Sequence, residues 1–252
     1  MSELTVAHIV VSQLAVLLIG FCKGAFGAGI ALVGIPILAL VMDPITAGTV
    51  IAPVFLPMDV IALDLYPPRT WSLPDLKVLV PALAAGIAIG YAALAVADPR
   101  VVAIVIALVT LGFAANWYLG GQSAGKMPRN GWLAALAGTA SGIATMIAHS
   151  GTPPLAVYLL RLGLAKDVFV GTATIYFAIG NLLKLGPWLA LGKPTAAMWM
   201  LTALCAPTAV LGVWIGWLLN QRIDQGRMYQ ACYTVLVITS LKLLWDGVRG
   251  FL

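Results

Sequence analysis

The chain has 252 residues, 62% of them hydrophobic and 9% charged, with a mean hydropathy of +1.02. Soluble domains carry roughly 25% charged residues, so a soluble enzyme or soluble binding module is excluded and a polytopic membrane protein is implied. The net charge of +5 comes from basic residues scattered singly through short loops, a pattern that orients helices in a bilayer and does not form a nucleic-acid patch.

Long, uniformly apolar runs point to helices, because barrel strands are short and alternate. The runs cover 7–24, 27–41, 45–65, 75–97 and 100–119, then, after the polar stretch GGQSAGKMPRN at 120–130, 132–147, 153–163, 168–191, 196–219 and 228–247. MSELTVAH at the start is acidic and lacks an A-x-A cleavage site, so the first run is expected to be retained. Cys22, Cys205 and Cys232 lie in apolar runs without metal or redox spacing and read as small buried hydrophobes.

The first two runs are separated by a glycine-punctuated break, GFCKGAFGAGIALVGIPIL at 20–38. As one helix, residues 7–41 would be roughly 52 Å long against a hydrocarbon core of about 30 Å. A hairpin, re-entrant or crossing twice, fits instead, and either form returns the chain to its starting side. Gly24, Gly27 and Gly29 would let backbone approach a ligand, and Lys23 adds positive charge. The structural alternative is that these glycines only pack the hairpin.

The third run carries Gly48-Thr49 near its start and Asp59 and Asp64 further on. Asp59 is a candidate proton carrier or a partner for a buried lysine; Asp64 is near the run's end and interfacial. Gly86-x-x-x-Gly90 in the fourth run reads as a helix-packing motif. Asn116-Trp117-Tyr118 reads as an interface belt.

The second half repeats these signals in order. GTASGIATMIAHSGTPPLA at 138–156 sets Gly138, Gly142 and Pro154 on Gly20, Gly24 and Pro36 at a constant offset of 118. Gly171-Thr172 matches Gly48-Thr49 at 123, and Gly212-x-x-x-Gly216 matches Gly86-x-x-x-Gly90 at 126. The expected fold is therefore all-α: two repeats, each a broken hairpin plus three membrane helices, with 1–119 the first repeat, 120–130 a cytoplasmic linker and 131–252 the second. Interrupted runs at matching places in two halves mark a transporter's substrate site.

The positive-inside rule supplies the topology. With both hairpins returning, one side carries Arg69, Lys77, Lys126, Arg129, Arg161, Lys166, Arg222 and Arg227, and the other Arg100, Lys193 and Arg249. Single crossings would move four of those eight across and erase the bias. Three further crossings per half then invert the second repeat.

In the second break, Ser150, Gly151 and Thr152 precede Pro153-Pro154, a helix-start signal. Backbone N–H groups and hydroxyls there would suit an anion. His149 could bind the anion when protonated or be a neutral hydrogen-bonded residue. Asn181 and Lys184 share a helix face, and an intramembrane lysine is a functional candidate; its alternative is pairing with Asp59 or Asp64. Thr49 and Thr172 could line the cavity or bond between helices. His8 reads as interfacial, and Lys242 with Trp245 as snorkelling and aromatic anchoring.

GAFGAGIALVGIPIL at 24–38, AGT at 47–49, SGIATMIAHSGTPPL at 141–155 and VGTATI at 170–175 resemble the TauE/SafE family of bacterial membrane transporters. The resemblance covers nearly the whole chain. It implies export of a sulfur-containing anion such as sulfite or an organosulfonate, across a bacterial inner membrane. Ala148-His149-Ser150-Gly151 stands where the family often has a glycine cluster. The expected partners are a small anion and the bilayer, with a homodimer left open and no nucleic acid; no cofactor, metal or catalytic residue is expected. The alternatives are a passive anion channel and an intramembrane enzyme. No H-E-x-x-H and no GxxxxGK[ST] occurs, so neither that metalloprotease motif nor ATP drive within this chain is supported.

Overall fold

The structure, a computed structural model, describes residues 4–26, 34–96, 98–119, 127–149 and 151–219, with scattered positions between 234 and 249. Every regular element among them is helical: α1 Val6–Phe26, α2 Gly34–Leu38, α3 Pro44–Leu65, a 3-10 turn Pro68–Thr70, α4 Leu73–Val96, α5 Pro99–Tyr118, α6 Gly131–Ala148, α7 Thr152–Arg161, α8 Lys166–Gly192 and α9 Ala196–Leu219. Six of these, α1, α3, α4, α6, α8 and α9, contain stretches long and apolar enough to cross a membrane. Large apolar side chains such as Val60, Leu108, Leu211 and Trp214 are exposed, as lipid-facing residues are.

Local chemistry sets several boundaries. Asp43 caps α3 by accepting from the Thr46 N–H, and Pro44 follows at the first helical position, where its missing N–H costs nothing. Asn130 caps α6 through the N–H groups of Trp132 and Leu133. His149 ends α6 in the left-handed region at φ 50, a place usually taken by glycine.

Both hairpins close at their open ends. The His8 ring donates from Nε2 to the Val41 carbonyl at 2.9 Å, tying the start of α1 to the chain just after α2. The Met127 N–H donates to the Arg161 carbonyl at 2.6 Å, tying the approach to α6 to the end of α7. His8 is therefore a hairpin clasp, more than the interfacial residue its position suggests. α7 has 10 residues, about 15 Å of helix, too short to cross the core.

The helices pair in a regular way: α1 with α9, α4 with α6, and α3 with α8. α3 and α8, the two most buried of the six, form the centre. They run antiparallel, since Gly48 meets Trp188 while Asp59 meets Asn181. α1 and α9 run parallel, as do α4 and α6. At one end of the bundle Ser72 meets Thr172, and Asp75 meets Arg129 and Tyr158; at the other Thr49 meets Gly192.

The glycine motifs are contact points, with one correction of register. A Cβ on Gly24 would stand 1.9 Å from the Val213 carbonyl oxygen, and one on Gly142 2.3 Å from that of Leu83. Gly216 lies against the Phe21 carbonyl as Gly86 lies against that of Thr139. Packing therefore matches Gly86 with Gly216, an offset of 130, and not with Gly212 as spacing suggests. The error is one helical turn: residues four apart share a face, so a G-x-x-x-G string can slide by four without changing its pattern.

Candidate functional site

The buried faces of α3 and α8 carry the polar groups. On α8, Asn181, Lys184 and Trp188 fall at i, i+3 and i+7, one stripe turned toward α3. On α3, Gly48, Phe55 and Asp59 form the facing stripe. α1 adds Lys23 from its last turn, and α6 adds Thr145 and His149 from its C-terminal end.

Asp59 is the anchor of this cluster. One carboxylate oxygen is ion-paired with the Lys23 ammonium; the other accepts from the Asn181 amide at 2.7 Å. Lys23 and Asp59 are both 4% exposed. A buried pair of this kind holds only when further hydrogen bonds satisfy the carboxylate, as Asn181 does here.

Lys184 is 1% exposed and is treated differently. Its ammonium donates to the Thr145 hydroxyl at 3.1 Å and stands 4.7 Å from the Phe55 ring centroid. Among the described residues no carboxylate lies within ion-pair distance of it. The Lys23 ammonium stands 5.5 Å from the same ring, so the two cations lie within about 10 Å of each other.

Next along the stripe, the His149 ring stacks on Trp188 with centroids 5.0 Å apart and tilts against Phe55 at 5.2 Å. His149 Nε2 faces the Gly48 carbonyl oxygen at 3.3 Å, and because a carbonyl only accepts, Nε2 carries the proton. Among the described residues, the buried His149 Nδ1 and Trp188 Nε1 have no hydrogen-bond partner.

The structure thus brings together Lys23, Asp59, Thr49, His149, Asn181 and Lys184 from the sequence candidates. Thr49 sits at the edge, donating to the Ile45 carbonyl at 2.7 Å and lying 3.2 Å from that of Trp188. Gly24 packs on α9 and does not face the cluster. Gly151 abuts Ser141, whose hydroxyl donates to its carbonyl at 2.7 Å, and Thr152 opens α7. Thr172 is twelve residues from Lys184, about 18 Å along α8, and accepts from the Ser72 N–H. Gly27, Gly29 and Ser150 lie outside the described residues.

Phe55, Thr145 and Trp188 belong to the cluster and are absent from the sequence candidates. Trp188 was within reach of the helical-stripe argument, four residues past Lys184. Phe55 and Thr145 carry no such signal inside apolar runs.

A multi-pass helical protein that buries two lysines, an aspartate and a histidine at its centre is of the class that moves a polar solute through a bilayer. The sulfite exporter TauE/SafE family model matches residues 13–243, nearly the whole chain, and the chain belongs to that family. It is accordingly a membrane transporter of the sulfite and sulfur-anion exporter type, and not an enzyme. Neither the curated proteins nor the solved structures give a match. One string, Gly121-Gln122-Ser123-Ala124-Gly125, fits G-x-S-x-G, but it lies outside the described residues and comes after helix α5, where that motif calls for a preceding strand.

Proposed function

We propose that the protein is a secondary exporter of a small sulfur-containing anion, sulfite or an organosulfonate, bound between α3 and α8. The observation that carries this is Lys184: an ammonium at the centre of the bundle whose described partners are one hydroxyl and one aromatic face. An unpaired charge there costs several kcal/mol. A substrate anion would supply the missing counter-charge. His149 and Trp188 on one side, and Lys23 and Asn181 on the other, would complete its surroundings.

The proposed mechanism is alternating access between two inverted repeats, 1–119 and 131–252, joined by a cytoplasmic linker at 120–130. The antiparallel α3–α8 pair and the matched pairs α1–α9 and α6–α4 support it, because a twofold axis in the membrane plane would exchange α3 with α8 and the two flanking pairs. The two hairpins would rock against each other around the cluster. Asp59 would serve as the coupling group: its protonation would open the pair with Lys23 in the substrate-free return step. The end bearing Arg69, Arg129 and Arg161 would face the cytoplasm of a bacterial cell, across its inner membrane.

Proteoliposomes loaded with sulfite test the reading. A proton gradient should drive efflux against a sulfite gradient. Flux that only runs downhill would identify a channel, and no flux of sulfite or any sulfonate would reject the substrate class.

A further inference from the structure

The buried groups define more than an anion site; they specify one charge and one proton. With Asp59 ionised, Lys23 and Asp59 cancel, so among the described residues of the cluster a protonated Lys184 carries the single uncompensated positive charge. A monoanion neutralises it; a dianion would leave a buried negative charge uncompensated. The two atoms without a partner among the described residues add direction. Trp188 Nε1–H can only donate and asks for an acceptor oxygen. His149 Nδ1 is the opposite case: with the proton held on Nε2 by the Gly48 carbonyl, the neutral ring presents a lone pair there, which asks for a donor. Protonating Nδ1 instead would set a second cation beside Lys184. The left-handed backbone at His149 holds the ring in this stack, where glycine would be the easier residue.

Resting on the transporter reading above, we infer that the site selects singly charged sulfur oxyanions that carry a hydrogen-bond donor of their own, the protonated form of sulfite being of this class. Lys184 and Trp188 take the anion's oxygens, and His149 Nδ1 accepts from its O–H or N–H. Each turnover would then move a proton together with the anion, bound to the cargo.

The test uses the full chain in lipid nanodiscs and three probes of fixed charge in calorimetric titrations. Sulfamate is a monoanion with N–H donors, methanesulfonate a monoanion without one, and sulfate a dianion without one. Sulfamate should bind on the order of tenfold more tightly than methanesulfonate, the worth of one buried hydrogen bond, and sulfate should be weakest. His149→Gly, which suits the left-handed backbone, should erase the difference between sulfamate and methanesulfonate. Trp188→Phe should weaken both alike. Equal binding of sulfamate and methanesulfonate, or sulfate as tight as sulfamate, overturns the inference while leaving the exporter reading standing. Failure of sulfite and all three probes to bind overturns both. If a variant does not fold, the ranking of the three probes on the unaltered protein decides alone.

Discussion

Lys23 on α1 and Asp59 on α3 form an ion pair buried between helices, 36 residues apart in the chain. Because Asp59 also holds Asn181 of α8, this one carboxylate ties the shoulder of the first hairpin to both central helices. The pair is a structural joint and, in the proposed site, a competitor for substrate. An anion entering the cluster would meet one lysine already neutralised and one that is not.

That asymmetry separates the two lysines experimentally. Lys23→Ala leaves the Asp59 charge buried without its ammonium, so it should lower stability by about 3–5 kcal/mol. The charge-free pair Lys23→Met with Asp59→Asn should recover most of that loss. Thermal denaturation in detergent measures both. Equal stability of the single variant and the parent protein would mean that the pair is not closed in the protein.

Lys184→Met should behave in the opposite way. Removing an ammonium that has no described carboxylate partner should stabilise the protein, by on the order of 2 kcal/mol. Anion affinity should fall roughly thirtyfold or more. A variant that loses stability and keeps its affinity would show that Lys184 serves packing and not the substrate.

A second joint lies at the opposite end of α4 from the loop leading to α5. Asp75, 2% exposed, accepts from Tyr158 of α7 at 2.9 Å, from the Ser72 hydroxyl, and from Arg129 at 3.3 Å. Tyr158→Phe should cost about 1.5 kcal/mol, the value of a hydrogen bond to a charged group. Arg129→Ala should cost under about 1 kcal/mol, because its side chain is 57% exposed and its pairing is screened. Comparing the two by denaturation separates the buried bond from the surface one.

The glycine contacts give a sharper structural test. Gly24→Ala and Gly142→Ala would push a methyl into backbone carbonyls of the facing helix, which has no side chain to rotate away. Each should cost about 1–3 kcal/mol. Gly112→Ala on α5 meets no described atom within 4 Å and should stay within about 0.5 kcal/mol of the parent.

How much of this was legible in the sequence depends on the range of the interaction. Helix positions follow from hydropathy, which is local: the run 196–219 coincides with α9, and 45–65 differs from α3 by one residue. The Asn181–Lys184 face follows from helical spacing, as does Trp188 once the stripe is extended. The partner of Asp59 does not, because nothing local distinguishes Lys23 from Lys184 as its counter-ion. The choice is made by where α1 ends relative to α3. Thr172 illustrates the reverse failure. Its match to Thr49 is sound as spacing, yet an antiparallel pair sends matched residues to opposite ends of the bundle, so the two cannot share one site.

The orientation of the two halves can be checked without any substrate. Arg69 and Arg129 are exposed at the end where Ser72 meets Thr172, whereas Lys193 is exposed just past α8, at the end where Thr49 meets Gly192. Single cysteines at these three positions should therefore label from two different sides of a sealed vesicle. Basic residues favour the cytoplasm, so Arg69→Cys and Arg129→Cys should react with an impermeant maleimide only in inside-out vesicles, and Lys193→Cys only in right-side-out ones. Cys22 and Cys205 are buried and should stay silent; Cys232 is replaced by serine to remove its background. Arg129 follows the linker and Lys193 follows α8, so their separation also tests whether α8 crosses the bilayer while the α6–α7 hairpin returns. Labelling of all three from one side would remove the antiparallel crossing of α3 and α8, and with it the basis for two inverted repeats.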